Sequence, residues 1–172
     1  MKLKTLDEIN FDGKVVLLRC DLNVPIDNEG KVSDKTKIKR HKGTINELIA
    51  KKAKIIIISH LGRPKGKIVK ELSMNRILHA FAEELKIPEV TVLPYCGLDI
   101  MKKVFDNMDK GTITFLENIR FYPEEEKNDL DFAKQLAEIS DIYINDAFSV
   151  SHRKHISTYG LSKFLPSFVG RS

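Results

Sequence analysis

Cysteine occurs only twice in these 172 residues, as Cys20 and Cys96. Two distant thiols cannot make a disulfide framework or a zinc knuckle, and reduced thiols in a cytoplasm are the expectation. Long hydrophobic runs are missing too. No apolar stretch approaches the roughly 20 residues of a membrane-spanning helix, and the opening MKLKTLDE carries acids early with no apolar core of a secretory leader. Phosphate-loop patterns are absent: there is no GxGxxG and no GxxxxGK[ST], GRPKGK at 62–67 has the wrong spacing, and Gly111 stands alone. No nucleotide site is therefore read from motifs. His60, His152 and His155 show no i, i+4 metal spacing, and His152 and His155 stand at i, i+3 without a neighbouring carboxylate. No metal site is expected. Repeats, low-complexity tracts and internal linkers are also absent.

What is present describes a soluble globular chain. Apolar residues make up 42% and charged residues 31%, which argues against general disorder. The formal net charge is +5, and segment 31–42 (KVSDKTKIKRHK) accounts for all of it, with six cations against Asp34. The excess is local, so a uniformly basic nucleic-acid surface is excluded. The segment reads either as a solvated helix face or as a local anion site.

Four short β-branched or aromatic runs, at 15–18, 55–58, 113–116 and 142–144, predict buried strands of a parallel sheet, with a weaker fifth at 90–93. Helical spacing lies between them, over 36–51, 73–85, 98–108 and 130–139. Ser73 is placed to cap the second of these, and Thr5 with Glu8 forms a capping-box pattern for a short opening helix. The alternation predicts an α/β fold: a three-layer, Rossmann-like α/β/α domain with a parallel sheet. The apolar segment 162–172 begins what looks like another element, as if a longer chain had been cut.

In such sheets ligands bind beyond the carboxyl ends of the strands. The residues that follow the strong runs are Arg19-Cys20-Asp21-Leu22-Asn23, Ser59-His60-Leu61-Gly62-Arg63-Pro64, Glu117-Asn118-Ile119-Arg120 and Asn145-Asp146, the last leading on to Ser151-His152-Arg153-Lys154-His155. One edge thus receives Arg19, Arg63, Arg120, Arg153 and three histidines, opposed only by Asp21, Glu117 and Asp146. A guanidinium fork pairs with two oxygens of a phosphate or carboxylate. Asp21 and Asn23 alternate on an extended segment and suit a hydroxyl, and Gly62 admits close backbone approach. A sugar phosphate or phosphorylated hydroxy acid would use all these groups. The competing reading pairs individual arginines with Asp21, Glu117 or Asp146. Glu124-Glu125-Glu126 reads as a solvated loop after Pro123. Cys20 reads as a small buried side chain, because no base stands beside it in sequence.

The stretches RCDLNVP (19–25), SHLGRP (59–64), LENIRF (116–121) and NDAFSVSHRKHIS (145–157) resemble the phosphoglycerate kinase family, in order and in spacing. Family members are roughly twice this length, with two α/β domains joined by a helix. The resemblance implies that residues 1–172 are the N-terminal, phosphoglycerate-binding domain, and that the C-terminal domain, which carries Mg-ADP or Mg-ATP, is absent. It implies 3-phosphoglycerate or 1,3-bisphosphoglycerate bound by Asp21, Leu22, Asn23, Lys37, His60, Leu61, Gly62, Arg63, Arg120 and Arg153, with Arg19 and His152 as supporting basic groups. It also implies a cytoplasmic glycolytic kinase, expected as a monomer, whose isolated half binds substrate without transferring phosphate.

Two positions depart from the family pattern. Where D-x-T-R-I is usual, Asp34-Lys35-Thr36-Lys37-Ile38 places Lys37 at the arginine that stabilises the transferring phosphoryl group. Lys37 is expected to take that catalytic role, with Arg40 one turn on as its backup. Ser149-Val150-Ser151 stands where Gly-Thr-Ala is common. The alternative function is a stand-alone binding module for an anionic metabolite. A nucleic-acid role lacks interleaved aromatics and any known motif.

Overall fold

The computed structural model describes residues 4–150 and 152–172. Six parallel strands form one sheet: β1 (Val15–Arg19), β2 (Lys54–Ile58), β3 (Thr91–Leu93), β4 (Ile113–Leu116), β5 (Ile142–Asn145) and β6 (Ser167–Val169), in the order β3-β4-β2-β1-β5-β6. The four strong runs are the four central strands, and the weak fifth is the edge strand β3. The sixth strand lies in the apolar terminal segment and pairs with β5, Phe168 opposite Ile144.

Alternate strand residues serve two different cores, and burial on both faces makes the runs continuous rather than alternating. Val16, Leu18, Ile55, Ile57, Phe115 and Ile144 face one layer, built from α1 (Thr36–Arg40), α2 (Lys42–Ala50) and α3 (Leu78–Leu85), with Ile38, Ile45, Leu48 and Phe81 pointing inward. Phe81 meets Phe115 edge-on, with ring centroids 4.9 Å apart at 89°. Leu17, Ile56, Ile58, Leu116 and Tyr143 face the opposite layer, where α4 (Leu98–Asp106) contributes Met101 and Phe105. That layer also holds α5 (Pro123–Lys127) and α6 (Leu130–Glu138), with Ala133 and Leu136 of α6 in its core. The expected α/β/α sandwich is present.

Three local expectations need correction. The helix read over 36–51 is broken at His41, whose backbone N–H closes α1 on Ile38 while its ring turns inward to Asp146. Thr5 makes no backbone cap; its hydroxyl donates to Asp7, three-residue spacing losing to a nearer carboxylate. Residues 123–127 are a helix and not a solvated loop, because Pro123 fits the first helical position and Glu125 turns into the core at 1% exposure. Ser73 does cap, accepting from the N–H of Asn75, at the head of a 3₁₀ turn (Met74–Ile77) that leads into α3.

Candidate functional site

The chain leaves β1, β2, β4 and β5 at the same edge, so the polar residues after each strand converge there. Asp21, Asn23, Lys37, His60, Gly62, Arg63, Arg120, Ser149 and Arg153 line a cleft of about 280 Å³. Eight of these nine were anticipated from sequence. Ser149, a departure from the family pattern in sequence, is the ninth, and its hydroxyl donates to Asp21 at 2.7 Å.

The cleft's backbone frame is set by Gly62. Its φ is +58°, which strains a side chain, and a Cβ there would sit 2.8 Å from a Leu72 methyl that would have to shift. The Gly62 N–H donates to Asn23 Oδ1 at 3.2 Å, and its carbonyl accepts from Arg120 at 3.1 Å. One glycine therefore aligns one group from beyond β1 and another from beyond β4. Burial lowers the Arg120 pKa, an effect opposed by Glu126, whose carboxylate lies 3.5 Å from Nε.

The three acids at this edge are committed elsewhere. Asp21 pairs with Lys37 at 3.1 Å. Glu117 accepts from Ser73 and from the N–H groups of Met74 and Asn118. Asp146 accepts from His41 and Thr44. None of them pairs with an arginine, and among the described residues Arg63 and Arg153 have no carboxylate within ion-pair distance. Both are exposed, with their guanidinium charge available to the cleft. Burial pushes the Asp21 carboxyl up, but the hydrogen bonds from Ser149 and Lys37 overcome this and hold it below the usual carboxylate range.

His60 is 3% exposed, and its Nδ1 lies 3.0 Å from an Arg19 nitrogen. A guanidinium only donates, so Nδ1 accepts and Nε2 carries the proton. Burial, reinforced by the charges of Arg19 and Arg120, lowers the His60 pKa to about 3. His60 is thus a neutral N–H donor on the cleft wall.

Arg19 does not reach the cleft. It is 2% exposed and donates inward to Ser157 and to the carbonyl of Cys20. Ser157 in turn donates twice to the buried Glu125. Arg19 is a support beneath His60 rather than part of the ligand surface. Leu22 and Leu61 are core side chains, at 0% and 2% exposure, and contribute backbone only. His152 is exposed and outside the cleft lining. Arg40 lines an adjoining hollow of about 230 Å³, together with Asp21, Lys37, His41, Asp146, Phe148, Ser149 and Ser172. Lys37 belongs to both spaces and stands between them. Ser151 lies outside the described residues.

Beneath that hollow, Cys20, His41 and Asp146 come together fully buried. Spacings of 21 and 105 residues hid this cluster from sequence inspection.

A model of the family described as phosphoglycerate kinase matches residues 6–172. The chain belongs to the phosphoglycerate kinase family. It is 45% identical over 172 residues to the phosphoglycerate kinase of Bartonella quintana, and 46% identical over 171 residues to that of Ruegeria sp., spanning 43% of each relative's length. Its fold superposes on phosphoglycerate kinase from Coxiella burnetii with a TM-score of 0.85 at 32% identity, covering 98% of this chain and 42% of that one. The Pyrococcus horikoshii enzyme gives 0.85 at 28% identity, over 96% and 42%. The chain thus spans less than half the length of its phosphoglycerate kinase relatives.

Proposed function

We propose that residues 1–172 are the N-terminal substrate domain of a phosphoglycerate kinase, and that the cleft binds 3-phosphoglycerate or 1,3-bisphosphoglycerate. The observation that carries this reading is the composition of the cleft wall. Arg63, Arg120 and Arg153 supply fork donors for a phosphate, while Asp21, Asn23 and the His60 Nε2–H supply hydroxyl and carboxylate partners. The family identity supports the same ligand.

In the whole enzyme the reaction is phosphoryl transfer between the acyl phosphate of 1,3-bisphosphoglycerate and ADP. Mg-ADP or Mg-ATP is held by a second domain outside this chain; its Mg²⁺ neutralises charge on the nucleotide. This domain contributes position and positive charge. Lys37, at the boundary of cleft and hollow, stabilises the transferring group, with Arg40 beside it in the hollow. Closure of the two domains excludes water from the acyl phosphate. The chain alone binds substrate and transfers nothing. The setting is glycolysis in the cytoplasm, with the C-terminal domain as the partner and a monomeric enzyme.

Isothermal titration of the chain with 3-phosphoglycerate tests the reading, with glycerate and duplex DNA as controls. Saturable binding of 3-phosphoglycerate at millimolar concentrations, weakened about tenfold by Arg63→Gln, is expected. A folded chain that binds none, or binds DNA in preference, overturns it.

A further inference from the structure

Cys20 follows β1, His41 sits between α1 and α2, and Asp146 follows β5. All three are buried, at 0%, 2% and 1% exposure. One sulfur, one imidazole nitrogen and one carboxylate oxygen lie within 4.8 Å of one another. Ligand atoms around a tetrahedral ion stand about 3.5 Å apart for bonds of roughly 2.0–2.3 Å, so small side-chain shifts close the set.

The outer contacts suit ligation after one rearrangement, the release of the His41–Asp146 hydrogen bond. The His41 Nε2 lies 3.2 Å from the carbonyl oxygen of Asp21, and Nδ1 lies 2.7 Å from Asp146 Oδ2. A carboxylate only accepts, so in the metal-free protein Nδ1 carries the proton donated to Asp146, while Nε2 accepts from the Asp21 N–H at 3.1 Å. Ligation through Nδ1 displaces that proton and leaves an Nε2–H to donate to the Asp21 carbonyl, the arrangement that ligating histidines usually make. Asp146 Oδ1 accepts from Thr44 and from the Ser172 N–H, each at 3.0 Å, which fixes the carboxylate and leaves Oδ2 for the ion. His41 and Asp146 also form part of the wall of the 230 Å³ hollow, which gives a route in and room for a fourth ligand.

The geometry points to a site for a soft divalent cation of the Zn²⁺ type, held by Cys20 Sγ, His41 Nδ1 and Asp146 Oδ2 with a fourth position open to the hollow. A thiolate–imidazole–carboxylate set selects against Mg²⁺ and Ca²⁺, which take oxygen ligands. Binding replaces the Cys20 S–H bond by an Sγ–metal bond and the His41 Nδ1–H bond by an Nδ1–metal bond; the thiol proton goes to solvent and the imidazole keeps one proton, now on Nε2. The ion ties β1, the helix junction and β5 together one residue before Asp21. The proposed site departs from the expectation of no metal site, which rests on the spacing of His60, His152 and His155.

Co²⁺ is the probe, because thiolate ligation gives a near-ultraviolet charge-transfer band. The chain has only two thiols, so in Cys96→Ser protein any such band belongs to Cys20. The expected result is one equivalent of Co²⁺ with that band, displaced by Zn²⁺ and not by Mg²⁺. The thermal midpoint should rise with metal concentration. Adding Cys20→Ser erases the band, and His41→Gln weakens binding by about tenfold or more. Folded Cys96→Ser protein that shows no charge-transfer band on Co²⁺ addition overturns the site, whatever the behaviour of the Cys20 variant.

Discussion

The Asp21 carboxylate and the Lys37 ammonium lie 3.1 Å apart at the boundary between the cleft and the adjoining hollow. Asp21 is nearly buried, while Lys37 keeps 40% of its side chain exposed. The pair therefore has a fixed partner and a movable one. On the proposed function, an incoming phosphoryl group would compete with Asp21 for Lys37, which stands on α1.

Lys37→Met in the full-length enzyme should lower kcat by about 100-fold or more, the scale of losing one charge-stabilising donor. Lys39→Met, on the exposed side of α1, should change it by less than about twofold. Lys37→Arg should retain most activity, since the charge is kept and a fork is gained. Steady-state rates of the three variants decide this, and equal losses at Lys37 and Lys39 refute the assignment.

Arg63 and Arg120 should separate binding from folding. Arg63 is exposed and free of carboxylate partners, so Arg63→Gln should weaken 3-phosphoglycerate by about tenfold with the thermal midpoint unchanged. Arg120 is 5% exposed and donates to Gly62. Arg120→Gln should lose affinity and also about 1 kcal/mol of stability. Calorimetry paired with thermal melts reads both effects.

His60 gives a signed pH dependence. It is faced by Arg19, Arg120, Arg153 and Asp21, and its folded pKa is about 3 against 6.5 for a free imidazole. Below pH 6.5 the unfolded chain takes up a proton that the folded chain refuses. The resulting loss of stability, up to about 1.4 kcal/mol per pH unit, accumulates as pH falls from 6.5 towards 3 and is absent above 7. Urea titrations at several pH values should show a shallower acid slope in His60→Gln. The His60 ring signals should not titrate above pH 5, and a midpoint near 6.5 would disprove the buried, Arg19-bound state.

The support beneath the cleft should matter for folding. Glu125→Ala leaves the Ser157 N–H and hydroxyl without their acceptor beside the charge of Arg19, and should cost about 1–3 kcal/mol. Gly170 has no room for a Cβ, which would run into the Asp146 side chain. Gly170→Ala should cost a similar amount by overpacking. Chemical denaturation measures both; a neutral Gly170→Ala would mean that Asp146 moves freely.

By itself the sequence determined the layers and the edge. Runs such as Ile55–Ile58 can only be strands buried on both faces, and the polar residues after each run must then collect at one end of a parallel sheet. That reasoning was enough to place Asp21, His60, Arg63, Arg120 and Arg153 in one region. Which of those polar groups face the ligand and which face inward was decided only by packing. Arg19 turns under the sheet edge because Ser157, His60 and the Cys20 carbonyl receive its donors there, and Glu125 leaves an acidic run for the core because Ser157 donates to it. Cys20, His41 and Asp146 have no common motif; the register of β1 beside β5 and the break between α1 and α2 bring them together. Local periodicity follows from the chemistry of neighbouring residues, whereas contacts across 105 residues exist only once the chain has closed on itself.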